Sequence, residues 1–425
     1  MNSGCCFEKY ILNGLKWYVG ALLIFAIGCG GGSVSPNSGS PNPTTSAANP
    51  GTSSGANPGS SGASNSGSGS SGSTAAGFLY VGLDDGYSLW SNIAHTGHAS
   101  IAGFAVSSDG TLQATSGSPY AGPATALAAD SAASTLYAAS GSTLNVNRIN
   151  GDGSLMTTLT LNSQPLTPSI GIYQDLSFNA QTQFLYALAI HGAGDNFFEI
   201  YKAGGDGALS NAGSQQVSVA AAHPSFTPDG GRAYQTFCYH LDGEIFGYTS
   251  GADGKLTAFN TKALVSNLGT PHPACPFALS ITADGSRLVA QLNAVTGGTA
   301  ALAVYAINPD GTLTEQGSSL PTTAQGSDIA WDPSGRYAAV AAKDGLWLYN
   351  LTGSSAVPVG GAPLVSGPMD HLAFNKAGTL LFATSASGQT VYVFAFNSSS
   401  GTAVPAPGSP HKVSLPPYAL TLSER

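Results

Sequence analysis

Charge is what this 425-residue chain has least of. Only 8% of its residues are Asp, Glu, Lys or Arg, against about 25% in ordinary globular proteins. Lys and Arg together number 13 and the formal net charge is -9, with no basic cluster, so nucleic acid is not an expected partner. Cysteine is scarce too, five in all, which excludes a disulfide-dense scaffold. The longest apolar run, Trp17 to Ile27, is too short for a bilayer, which needs about 20 residues. No long helical period occurs after residue 76. What is abundant is Gly, 56 residues, and short runs of β-branched, aromatic and Leu residues between Gly and Asx turns, the pattern of short strands.

These strands repeat. Taking a polar turn residue as anchor, Asp130, Asn179, Thr227, Thr282, Asp332 and Asn375 are each followed seven positions later by Tyr137, Tyr186, Tyr234, Val289, Ala339 and Phe382. Four positions before the anchors stand Ala126, Asp175, His223, Ala278, Asp328 and His371, and Tyr418 to Leu422 adds Ala419 as a seventh copy. A period of about 40 to 50 residues with four short strands per unit predicts an all-β chain, a β-propeller of antiparallel blades. Phe78-Leu-Tyr-Val lacks a preceding first strand and Tyr418 to Leu422 lacks a following second strand. Each completes the other, so seven blades are expected over residues 77–425, with the C-terminal inner strand closing the N-terminal blade and removing the open edges.

The turn between third and fourth strands recurs as Asp-Gly-x-Leu, beginning at Asp109, Asp152, Asp206, Asp253 and Asp310. Gly takes positive φ there at little cost, so these aspartates are read as turn chemistry.

The N-terminal 29 residues carry Lys9 and Lys16, then the apolar run, and suit an export signal. Ala26-Ile-Gly-Cys29 resembles a bacterial lipobox, with Ala26 where Leu is usual. The resemblance implies cleavage before Cys29, lipidation of its thiol and an extracytoplasmic, membrane-anchored protein; an ordinary signal peptide is the alternative. Residues 30–76 are Gly, Ser, Asn, Pro, Thr and Ala with one Val and no charge, a tether with a root-mean-square reach of roughly 35 to 40 Å.

The Asx-Gly hairpins and Leu-Tyr-Val-like strands resemble the lactonase family of seven-bladed propellers, which includes 6-phosphogluconolactonase-like and YVTN-repeat proteins. Gly367-Pro-Met-Asp-His-Leu-Ala-Phe is similar to that family's Gly-Pro-Arg-His-Leu-Ala-Phe, whose His and Arg are implicated in the active channel. His371 matches; Asp370 stands where the Arg would be. Ala221-Ala-His223-Pro-Ser-Phe resembles a His-Ala-His segment with one His missing and the other shifted.

Site residues follow from the repeat. Innermost strands line the channel, so Asp175, His223, Asp328 and His371 are expected there as two Asp–His pairs. Such pairs suit general-base work or a small metal site, with these four as candidate ligands of a divalent ion. Alternatively they bond channel water and neighbouring backbone. No cofactor is demanded by the sequence. Loops after second strands and before first strands open on one face and carry His95, His98, His191, His240, His272 and His411. The insertion with Tyr87 and Trp90 lies over the same mouth, where a small-molecule or protein ligand is expected. Arg232, Arg287 and Arg336 fall on the opposite face and Arg148 in a third strand, leaving no Arg clamp for a phosphate at the mouth. Cys238 and Cys275 fall on the histidine-rich face of adjacent blades and, in an exported protein, are expected to pair. Two functions remain: a ligand-binding or interaction module, or a lactone hydrolase in which His371 or His223 activates water with Asp328 or Asp175.

Overall fold

The computed structural model describes residues 76–85, 98–163, 165–166, 169–170, 172–191, 195–217, 224–239, 242–259, 263–266, 268–270, 273–294, 299–352 and 356–424. The export signal, the tether, Cys29, Tyr87, Trp90, His95, His223, His240 and His272 lie outside the described residues.

Seven antiparallel sheets form the blades of a β-propeller. The inner strands are Pro417–Glu424, Ala126–Asp130, Ile172–Asn179, Ser225–Phe226, Cys275–Ile281, Gly326–Trp331 and His371–Phe374, belonging to blades 1 to 7 in that order. Closure is made as the repeat requires: Gly77–Asp84 pairs antiparallel with Pro417–Glu424, with Phe78 opposite Ser423 and Gly82 opposite Ala419. The seam is packed as well as hydrogen-bonded, because Leu79 and Val81 of blade 1 share a buried cluster with Phe382, Val391 and Val393 of blade 7.

The anchors are conformational devices. Thr227, Thr282, Asp332 and Asn375 each accept, through a side-chain oxygen, the backbone N–H five residues on, at Arg232 (3.1 Å), Arg287 (3.0 Å), Tyr337 (2.7 Å) and Leu380 (2.8 Å). A short polar side chain thus closes the hairpin between first and second strands.

The recurring tyrosine and the recurring Asp-Gly turn are two halves of one contact. Tyr80, Tyr137, Tyr186 and Tyr234 donate their hydroxyls to the carbonyls of Gly153, Gly207, Gly254 and Gly311 at 2.8, 3.1, 2.7 and 2.7 Å, each time in the turn of the next blade. Each of these glycines has positive φ, +82° at Gly153, and an added Cβ there would lie 2.4 Å from the Phe78 ring. Gly153→Ala is therefore expected to cost about 2–3 kcal/mol in urea unfolding, from strain plus overpacking. Tyr80→Phe, which removes only the hydroxyl, should cost about 1 kcal/mol.

In five blades the outer strand is two short pieces separated by a turn, such as Thr402–Pro405 and His411–Lys412 in blade 7; only blades 2 and 3 keep it whole. Short, interrupted edges discourage edge-to-edge pairing with other chains.

Candidate functional site at the channel mouth

The inner strands of adjacent blades splay apart, so their channel-facing backbone groups need side chains or water as partners. The chain answers with a bulge at one repeated point. Gln174, Phe277, Ser327 and Tyr418 are each an extra residue just before the aligned channel position. Such bulges re-aim side chains and are common beside functional sites. Here they set two successive residues of each inner strand at the mouth.

Asp328 and His371 are brought together from blades 6 and 7. His371 Nδ1 lies 3.9 Å from Asp328 Oδ2, with about a third of each side chain exposed. That separation is an ionic contact beyond hydrogen-bond range. The Asp328 carboxylate is already engaged: Oδ1 accepts the Ile329 N–H at 2.8 Å, and Oδ2 accepts the Leu372 N–H of the next blade at 3.0 Å. Ser327 donates to the carbonyls of Met369 and Asp370 at 2.9 and 3.0 Å. Asp328 and Ser327 therefore staple one blade to the next. Asp175 Oδ1 accepts the Leu176 N–H at 2.8 Å, the same local contact that Asp328 makes with Ile329.

Asp370, at the position where the family resemblance places Arg, is buried and accepts the Ala386 N–H at 2.7 Å. It serves the turn between the second and third strands of blade 7. Tyr418 stands beside it. Burial, followed by the charges of Asp84, Asp175 and Asp370, pushes the Tyr418 phenol up to about 12. Asp84 and Asp85 are both buried at the end of the second strand of blade 1, and His98 Nδ1 lies 3.5 Å from Asp85 Oδ2. The mouth accordingly gathers aspartates from blades 1, 3, 6 and 7.

The arginines are engaged elsewhere. Arg232 donates to the Asn308 carbonyl at 3.2 Å and Arg287 to the Gly335 carbonyl at 2.5 Å, each locking the turn of the following blade. Arg336 lies over the Tyr337 ring, and Arg148 bonds Asn150. Lys412 is committed to the Gly388 carbonyl at 2.7 Å. Among the described residues no three His, Cys, Asp or Glu side chains converge to hold a metal ion.

The other expected mouth residues divide. His98 is exposed beside Asp85, while His191 ends the second strand of blade 3. His411 lies in a strand, not in the expected inter-blade loop. It lies in the second piece of the blade 7 outer strand, half-buried and 6.5 Å from the Phe104 ring of blade 1, with burial pushing its imidazole pKa down. The cause is the divided outer strand: residues that follow the Asp-Gly-type turn and look like an inter-blade loop return to the sheet. Cys238 and Cys275 are joined as a disulfide with Cα atoms 5.1 Å apart, tying the second strand of blade 4 to the inner strand of blade 5.

Two features of the site carry no sequence signal. The bulge at Tyr418 is invisible in an ungapped repeat. Glu199, buried between blades 2 and 3, accepts from Ser163 (2.5 Å), Tyr173 (2.7 Å) and Tyr201 (2.8 Å), partners 36, 26 and 2 residues away.

No family model matches the chain, and no curated protein matches it by sequence. Solved structures do. A candidate 6-phosphogluconolactonase of Bacteroides uniformis superposes with a TM-score of 0.60 at 16% identity, covering 81% of this chain and 98% of that one. A second, from Bacteroides fragilis, gives 0.60 at 17% identity, covering 82% and 98%. The chain has the seven-bladed propeller fold of these structures. A protein of unknown function from Desulfotomaculum acetoxidans shares the architecture at a TM-score of 0.55 and 14% identity, covering 82% of this chain and 99% of its own. At such identities the likeness is one of fold, and activity has to be argued from the residues at the mouth.

Proposed function

We propose that this protein is an extracytoplasmic, lipid-anchored binding module of the lactonase-like superfamily that receives an unphosphorylated ligand at its channel mouth. The observation that carries the reading is Asp370: a buried carboxylate, near Tyr418 with Asp84 and Asp175, where a phosphate-binding relative would place a cation. Two like charges about 4 Å apart repel by ~1 kcal/mol in water and ~4 kcal/mol near a protein surface, so an array of aspartates works against a phosphate and favours neutral or cationic groups. Asp328 supports binding over catalysis, because both of its oxygens are engaged by backbone amides. In thermal-shift titrations, unphosphorylated sugar, aromatic and acyl lactones are expected to include a stabilising ligand, while 6-phosphogluconolactone and glucose 6-phosphate should give no shift. A phosphorylated sugar that stabilises the protein, with the effect lost in Asp370→Ala, would overturn the reading.

The membrane is the partner implied by Cys29. Partition of the exported protein into detergent should be lost in Cys29→Ser, and partition that survives would refute the anchor.

A second reading is favoured by the contact at 3.9 Å between His371 and Asp328: a lactone hydrolase in which His371 takes a proton from water and Asp328 stabilises the resulting imidazolium. It needs the imidazole to close on the carboxylate when substrate is bound.

A further inference from the structure

The mouth is one end of the channel; the other end is different in kind. A cavity of about 400 Å³, the size of an ordinary small-molecule site, opens among the inner strands on the side of the short hairpins, and no charged residue lines it. Two positions before the anchors the repeat holds only small residues, and five of them, Ala128, Ser177, Ser225, Ser280 and Thr421, line the cavity. Their hydroxyls fall into two groups. Ser177 donates to the Pro224 carbonyl at 2.6 Å and Ser280 accepts the Trp331 N–H at 3.0 Å, so both are spent on adjacent blades. The hydroxyls of Ser225 and Thr421, from blades 4 and 1, have no hydrogen-bond partner among the described residues, and both residues line the cavity. Phe178 and Phe226, one position further on, turn away into the inter-blade cores. Their rings are fixed by packing on the inter-blade tyrosines, 5.6 Å from Tyr137 and 5.0 Å from Tyr186.

We propose that this end of the channel is a second ligand site, selective for a small neutral polyol of monosaccharide size. A charged ligand would be desolvated without a counter-charge. A purely apolar one would strip water from the Ser225 and Thr421 hydroxyls and return nothing. A small polyol meets both demands, with hydroxyls for Ser225 and Thr421 and no charge to desolvate. The site does not depend on the mouth: its lining shares no residue with the aspartate cluster.

Saturation-transfer NMR with the full-length protein and myo-inositol or glucose tests this. Wild type should transfer saturation to the ring protons of at least one of them. Ser225→Ala should weaken binding about fivefold, the loss of one neutral hydrogen bond of about 1 kcal/mol, and Ser225→Leu should abolish it by filling the cavity. His371→Ala, at the mouth, should leave it unchanged. Absence of transfer to both polyols in wild type would mean that the cavity holds only water and would overturn the proposal. So would affinity unaltered in Ser225→Leu or lost in His371→Ala. Should Ser225→Leu fail to fold by thermal melt, unchanged affinity in Ser225→Ala overturns it alone.

Discussion

Raising the pH from 10 to 12 is expected to unfold the propeller in one cooperative step, with tyrosinate absorbance rising as the β-sheet circular dichroism disappears. The cause is a set of buried tyrosines, three of which, Tyr137, Tyr186 and Tyr234, donate to the turn of the next blade. Burial pushes the phenols of Tyr186, Tyr234 and Tyr248 up to about 12, and those of Tyr137, Tyr173, Tyr201 and Tyr305 up as well. In the unfolded chain each ionises near 10. A raised folded-state pKa means that the stabilisation is complete below pH 10 and is lost as pH climbs through the folded value. At about 1.4 kcal/mol per pH unit, three phenols shifted by two units forfeit ~8 kcal/mol by pH 12, comparable to the whole stability of a typical domain. Gradual titration near pH 10 with the sheet intact would show that these hydroxyls do not hold the blades together.

Removing the Cys238–Cys275 disulfide is the second large effect. The bridge closes a segment 37 residues long between adjacent blades. Loop-entropy reasoning gives it about 4 kcal/mol, so Cys238→Ser, Cys275→Ser or reduction should lower the unfolding free energy by that much and the denaturant midpoint in proportion. The loss should not raise the propeller's dependence on pH, because neither cysteine belongs to the tyrosine contacts. An unchanged midpoint after complete reduction would mean that the blade 4 to blade 5 seam is held by its other contacts alone, among them Tyr234 to Gly311 and Arg232 to Asn308.

How far the sequence carries can be judged residue by residue. The blade count and closure were legible because both periodic signals have a local physical cause: the anchor oxygen that meets the amide five residues on, and the Gly that takes positive φ in the turn. The partnership of Tyr186 with Gly254 was not, since a repeat shows that two features recur but not that one blade's hydroxyl reaches the next blade's carbonyl. The channel position of Asp328 was readable by register. Its bond to the Leu372 amide was not, because that depends on how far two inner strands splay. His411 misled for a related reason: an outer strand that breaks and resumes has no period of its own. The mouth chemistry was readable mainly as an absence, the lack of Arg. That Asp370 takes the place was legible too; the structure adds that it is buried and committed to the Ala386 amide.

The central claim, that the mouth binds rather than hydrolyses, is most directly tested by following hydrolysis of unphosphorylated sugar, aromatic and acyl lactones by the full-length protein, with and without divalent metal ions, beside His371→Ala and Asp328→Asn. The account predicts no turnover above background that depends on either side chain. Turnover that disappears in both variants while their folds remain intact would contradict it and make His371 and Asp328 an active site.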